Sequence, residues 1–536
     1  MRLTMRFAAV LQCSLTQVGR FPNRNAVVRQ CRRTLMAQHS RCADALLMDS
    51  SHETVGDQSP TIRLSRVGLS AQLRMVALAR GAQVTGMGLF TIAAPRLMGP
   101  ELFGQLAVIL SISGLFSSAS TLGGRYALGR FMPDYISRNA LPEARALFMH
   151  VLQFRLALAL VAALPLYELL RHVLPDASRV TLTASVLAFM VAAISSPMFG
   201  GLYALNRLGS SMSGTAVDRF LLLAILIVVG GTSSLERAGL AVLATQLCVF
   251  IGALFMARGL FTLNRKAFDL RSAGTHIRFG VVVFAANLLL RMPWRLGESA
   301  LALAAVDSSE IAFFNIAISA TVAFTRIVGG TATLLIPSLS LKQVAGDESG
   351  RDHSLGLALR YLSIASGLFV LSVLAAAPWA VPMLLGESFG GVVPNLVVIA
   401  WAVLPVPYIR TALALEVVRD RLARNLLLGA TAISVFGACA FALIPRFASL
   451  GASVAVVLAI WVAGAVAILQ LRPTRVLEEA RNRRHLLAAA GPFALVVLTK
   501  ASPVAAMIGA VGYGIGLLAF GVVSRRELRQ LATRRS

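Results

Sequence analysis

Between Met75 and Ser524 the chain alternates long apolar stretches with short connections, and arginines crowd every second connection. A hydrocarbon core about 30 Å thick needs roughly 20 apolar residues per helix. Stretch after stretch meets that length, which excludes a water-soluble fold. Hydrophobic residues make up 57% of the chain, and the mean hydropathy of +0.74 agrees. The expectation is an all-α polytopic membrane protein.

Fourteen spans are expected: Met75–Pro95, Leu102–Gly124, Leu147–Leu170, Val180–Asn206, Phe220–Thr232, Ala238–Ala257, Phe279–Val306, Ile311–Pro337, Tyr361–Leu385, Val393–Val417, Leu426–Pro445, Gly451–Leu471, Leu486–Leu498 and Pro503–Val523. The fifth and thirteenth are the shortest. Arginine-rich connections carry Arg125, Arg130, Arg138 and Arg145, then Arg258 to Arg278, then Arg419 to Arg424, then Arg472 to Arg484, then Arg525 to Arg529. The intervening ones are short and poor in charge. Basic short loops stay cytoplasmic, so both termini are expected inside. The net charge of +26 is mostly this orientation signal. No basic folded domain exists to carry nucleic acid, and that partner is excluded.

Residues 1–74 hold Cys13, Cys31 and Cys42 among scattered arginines, with no hydrophobic period. They read as a disordered cytoplasmic extension, or as a start codon assigned too far upstream. The apolar run at Phe7–Leu11 is too short for a signal peptide. Gln12 stands where lipidation at Cys13 would need a small residue. No cysteine or histidine spacing suggests a disulfide framework, a metal site or a cofactor.

The spans repeat. Arg207 follows the fourth and Gly239 opens the sixth; Arg419 follows the tenth and Gly451 opens the twelfth, at an identical interval. The expected organisation is a first six-helix lobe at 75–272 and a second at 273–472. The last two helices and a basic tail then occupy 473–536. Two such bundles are a common transporter plan, with the substrate site between them.

Ionisable groups inside a membrane span cost at least about 2.5–3.5 kcal/mol each and call for a function. The seventh span is richest: Asn287, Arg291, Arg295 and Glu298 fall on one helical stripe. Pro293 and Gly297 lie among them and should break the helix, opening backbone groups to a wet cavity. Arg326 is expected near the middle of the eighth span, at the depth of Arg291. The first span adds Arg80 and Gln83, nearer the cytoplasm, with Arg155 and Arg410 as secondary candidates. The functional reading is a cationic cavity for an anionic group, since guanidinium is always charged and forks onto phosphate. The alternatives are snorkelling for Arg80, Arg155 and Arg410, and mutual neutralisation for Arg295 with Glu298. No catalytic residues are expected: the histidines do not cluster, and no nucleophile elbow, P-loop or zinc motif appears. Asp307 and Glu310 read as a solvated turn, with a coupling-ion site as the alternative.

Three segments resemble the bacterial polysaccharide-transport flippases, a family of the multidrug/oligosaccharidyl-lipid/polysaccharide exporter superfamily. Leu97–Pro133 is similar to its first-to-second-span signature, with Pro100-Glu101-Leu102-Phe103-Gly104 and Leu122-Gly123 in place. Leu443–Ala459 resembles the eleventh-to-twelfth signature, with Ala448 where the family has glycine. The stretch from Arg295 to Ala317 resembles the seventh-to-eighth, with Ala312-Phe313 where the family has glycine-tyrosine. The resemblance implies alternating access by two lobes around a cationic cavity that takes the pyrophosphate-sugar head of a lipid-linked oligosaccharide. Arg291, Arg295 and Arg326 would hold it, and Arg80 would guide its entry. Glycosyltransferases and a polysaccharide polymerase would be its partners. A multidrug antiporter of the same superfamily is the alternative, although it favours carboxylates in the first span, where this chain has Arg80, Gln83 and Thr91. A scaffold without transport is the third reading.

Overall fold

The computed structural model describes residues 69–205, 208–261, 281, 284–285, 288–344, 346–419, 422–472, 474, 476–479 and short helical pieces between 508 and 517. Asn287, the expected boundary at 272–273, the thirteenth span and residues 1–68 lie outside that set. Among the described residues the chain is helical, without a strand. Helix α1 spans Leu69–Ala119 and α2 Gly124–Ser137; α3 spans Leu141–Val173 and α4 Arg179–Ala204. Helices α5 (Leu208–Val228) and α6 (Leu235–Ala257) complete the first half. The second half holds α7 (Pro293–Leu303), α8 (Ser308–Val344), α9 (Glu348–Leu385), α10 (Val392–Ala400), α11 (Val406–Val418), α12 (Leu422–Leu471) and α13 (Val476–Glu479).

Nine described helices are long and apolar enough to cross a membrane, and two of them are folded pairs of spans. In α1 the chain reverses at Gly99 (φ 76°), where Pro100 cannot continue a helix and glycine tolerates the left-handed turn. In α12 the reversal is at Ala448. Expected first-to-twelfth spans all meet helix. Helix α1 opens at Leu69, ahead of the expected limit at 74. The other starts are set locally: Ser178 and Ser234 cap α4 and α6 by accepting from the Thr181 and Arg237 amides at 3.2 and 3.3 Å. Pro293 at the first turn of α7 produces the expected break in the seventh span.

The fifth span needs correction. Helix α5 runs twelve residues further toward its start than Phe220, because small polar residues lower its hydropathy without breaking it. Ser213 donates to the Ser210 carbonyl at 2.8 Å. A Cβ at Gly214 would stand 2.3 Å from the Phe199 ring, so glycine lets α4 approach. Asp218, expected in a connection, is therefore in mid-helix.

Backbone strain marks the repeat. Left-handed residues recur at matching turns: Gly99 (φ 76°) and Ala305 (φ 53°) after the first span of each half, Gly230 (φ 66°) and Ala448 (φ 45°) before the last. Asn139 and Gly346 stand two residues before α3 and α9. An L side chain at Ala448, with ψ −126°, costs roughly 1–3 kcal/mol. Glycine there would lose about 0.5–1 kcal/mol to chain entropy. Ala448→Gly is thus expected to raise the thermal midpoint of the detergent-solubilised protein, by about 1 kcal/mol of stability. An unchanged or lower midpoint would mean the alanine is unstrained.

Helix α1 is the junction of the halves. It packs along α5 on one side and along α8 and α7 on the other. Val108, Ile109 and Ile112 of α1 share a core with Leu301, Ile311 and Phe314.

Candidate functional site

Charged side chains of four spans converge where α1, α5, α7 and α8 meet. Arg326 of α8 lies within the fields of Arg219, Arg295, Arg80 and Arg291, and Arg295 within those of Arg291, Glu298 and Arg219. Two of these arginines belong to the first half and three to the second. Contacts place the cluster along α1: the Arg219 guanidinium lies over the Phe90 ring, and Arg295 Nη1 is 3.1 Å from where a Gly114 Cβ would stand.

Depth orders the cluster. At about 1.5 Å per residue, Arg295 lies roughly 12 Å and Arg219 roughly 14 Å from the charge-poor ends of α7 and α5. Arg326 lies roughly 27 Å from the start of α8, and Arg80 roughly 28 Å before the Gly99 turn. The expectation that Arg326 shares the depth of Arg291 is revised: α7 ends at Leu303, three residues before Val306, and α8 begins at Ser308, three before Ile311, so Arg291 lies roughly 18 Å and Arg326 roughly 27 Å from the charge-poor ends. The result is a deep tier of Arg219 and Arg295, and a second tier of Arg80 and Arg326 toward the arginine-rich side.

Among the described residues, Arg291, Arg295 and Arg326 make no side-chain hydrogen bond and no ion pair within 4.0 Å. Arg291 and Arg295 are exposed and Arg326 half-buried. Glu298 is turned away from Arg295: it is buried, and its Oε1 accepts from Asn315 Nδ2 at 2.7 Å. The simple neutralising pair of Arg295 and Glu298 is not formed, although their charges sense each other. Gly297 lets this strand of contacts close up, since a Cβ there would stand 2.2 Å from Phe314.

The remaining candidates separate. Arg80 donates to Gln83 Oε1 at 3.2 Å and is exposed. Arg155 is buried at 4% exposure and held by α1, donating to Thr121 Oγ1 at 2.8 Å and to the Ser117 carbonyl at 3.2 Å. Arg410 is half-buried in α11. Glu310, expected in a solvated turn, accepts from the Ser449 hydroxyl, which belongs to a buried network with Asn395 and Ser453.

Arg219 is the residue that sequence reasoning missed. Its guanidinium lies over the Phe90 ring at 5.1 Å, and Asp218 Oδ2 is 3.7 Å from its Nε. Gln246 of α6 fixes Asp218 by donating to its Oδ1 at 3.0 Å. The small-residue run before Asp218, read as helix, would have found it. Taken together the site gathers five guanidiniums, two from the first half and three from the second; among the described residues no metal-ligating cluster appears.

Helices paired in two halves around an intramembrane cluster define a polytopic membrane protein with the fold of the MOP-superfamily transporters. Particular solved structures sharing it are the lipid II flippase MurJ in an inward closed conformation (TM-score 0.59, 11% identity, 86% of this chain and 99% of that one) and an inward-facing multidrug resistance MATE family transporter (0.55, 15%, 78% and 97%). The eukaryotic MATE transporter AtDTX14 matches at 0.53, with 14% identity over 77% of this chain and 98% of that one. No protein-family model and no curated protein matches the chain.

Proposed function

We propose that the protein is a flippase carrying a polyprenyl-pyrophosphate-linked oligosaccharide from the cytoplasmic to the outer leaflet of a bacterial inner membrane, for surface polysaccharide assembly. The carrying observation is the arginine cluster, in which Arg291, Arg295 and Arg326 have no side-chain partner among the described residues. Leaving such groups inside spans costs roughly 2.5–3.5 kcal/mol each, which a passing anion would offset. Arg219, Arg291, Arg295 and Arg326 hold the pyrophosphate, and Arg80 guides it in from the arginine-rich, cytoplasmic side. Residues 75–272 and 273–472 are the two lobes, with 473–536 as the additional helices and tail. Both termini are cytoplasmic. Glycosyltransferases supply the repeat unit and a polymerase consumes it. A fold neighbour that is by name a lipid flippase supports the reading.

A cation-coupled multidrug antiporter is the second reading, favoured by the half-buried Asp218 bonded to Gln246 and by the MATE neighbours. One deletion strain decides between them. Loss of surface glycan with unaltered drug sensitivity is expected; drug hypersensitivity with glycan intact would establish the antiporter instead.

A further inference from the structure

Arg219 differs from the second half's arginines in the company it keeps. Its Nε stands 3.7 Å from Asp218 Oδ2, and its guanidinium lies over the Phe90 ring at 5.1 Å. Arg291, Arg295 and Arg326 have no carboxylate within 4.0 Å among the described residues. Neighbours on a helix point about 100° apart, so the two side chains of the Asp218–Arg219 pair must bend toward each other to come this close. Gln246 of α6 anchors the acid by donating to its Oδ1 at 3.0 Å, which leaves the arginine as the partner that can turn away. The Phe90 ring is fixed as well, buried and packed against Phe103 with 6.2 Å between centroids. The Asp218 and Arg219 side chains keep 28% and 35% of their surface open, so the guanidinium can exchange partners through water.

We propose that Asp218 is a built-in competitor for Arg219: its carboxylate holds this guanidinium between transport events, yields it to the bound anion, and takes it back as the anion leaves. The inference rests on the transport reading above and gives the same site its release step. A carrier must bind firmly enough to load and weakly enough to unload. Each guanidinium contact with a phosphate multiplies affinity roughly tenfold or more, so Arg219, Arg291, Arg295 and Arg326 acting together would hold a pyrophosphate too long to turn over. Asp218 lowers that affinity, because the contact from Arg219 forms only when an existing one is given up. The second half's arginines load the anion, and the first half's arginine is the one that switches. Asp218 acts through Arg219 and does not touch the anion itself.

The test measures inorganic pyrophosphate binding to the purified full-length protein by calorimetry, alongside surface-glycan output in cells. Asp218→Asn keeps an oxygen for Gln246 and loses the charge. It should bind pyrophosphate about fivefold more tightly than wild type, the factor for a part-exposed ion pair of roughly 1 kcal/mol, while glycan output falls. Asp218→Glu, which restores a carboxylate, should bring both readouts back toward wild type. In an Arg219→Ala background the gain from Asp218→Asn should vanish, since no guanidinium is left to release. A gain that persists there would make Asp218 a general repeller of anions and overturn the exchange. Unaltered binding by Asp218→Asn, or tighter binding with undiminished glycan output, would overturn it too. If Asp218→Asn fails to accumulate, Asp218→Ser makes the same comparison with a hydroxyl facing Gln246. Wild-type protein that takes up no pyrophosphate would remove the anion site and this inference together, whereas binding that ignores Asp218 would remove the inference alone.

Discussion

Replacing Arg291 and Arg326 together with alanine should abolish surface-glycan output while the protein accumulates in the membrane at wild-type level or above. The two readouts move apart for a physical reason. Neither side chain has a hydrogen-bonding or ionic partner among the described residues, so truncation strands nothing. It also relieves roughly 2.5–3.5 kcal/mol of charge in a span for each residue. A guanidinium–phosphate contact is worth about 1.5–3 kcal/mol, so each single variant should lose roughly ten- to a hundredfold in transport and the pair the product. Arg219→Ala should lose a comparable factor, because it supplies the first half's share of the deep tier. Arg326→Lys would keep partial output if charge alone matters, and would match alanine if the fork is needed. Wild-type output from the double alanine variant would remove the cationic-cavity proposal. A protein that vanished from the membrane would show instead that these arginines stabilise the fold.

Hydropathy and arginine placement revealed the spans because both answer directly to the bilayer. Each span must reach across apolar chains, and each basic loop must stay on one side. The break at Pro293 and the reversals near Gly99 and Ala448 were legible for the same local reason, since proline and glycine punctuate a helix wherever they fall. Arg219 was not legible. The run from Leu208 to Thr215 is rich in glycine, serine and threonine, so its hydropathy falls although its hydroxyls bond back to the helix, as Ser213 does to Ser210 at 2.8 Å. The stripe on the seventh span was visible as spacing, but its meaning was not. Spacing alone places Arg295 beside Glu298, whereas Asn315 from another helix takes the carboxylate at 2.7 Å, and Arg295 has no ionic partner within 4.0 Å among the described residues. Depth failed likewise at Arg326, because the turn between α7 and α8 sits three residues earlier than the hydropathy limits at Val306 and Ile311.

Asp352→Ala should have the opposite profile to the cavity variants, with protein lost rather than transport. Arg351 is 1% exposed and bonds Asp352 Oδ1 through Nε at 3.0 Å and Nη2 at 2.8 Å, at the arginine-rich end of α9. A second carboxylate, that of Glu348, is 3.9 Å away and largely in solvent. Removing one member of a buried pair typically costs about 3–5 kcal/mol, because the other keeps its desolvation penalty. Against a typical stability of roughly 5–15 kcal/mol, that is enough to cut accumulation and lower the thermal midpoint sharply. Replacing both members, Arg351→Met with Asp352→Ala, should recover most of the loss, since an apolar pair carries no such penalty. If the single variant is as stable as wild type, burial does not distinguish the arginines that build this protein from those that serve it. If the double variant recovers, the distinction holds. An arginine shut in with its carboxylate is then part of the fold, and one left open between the halves is there for the anion.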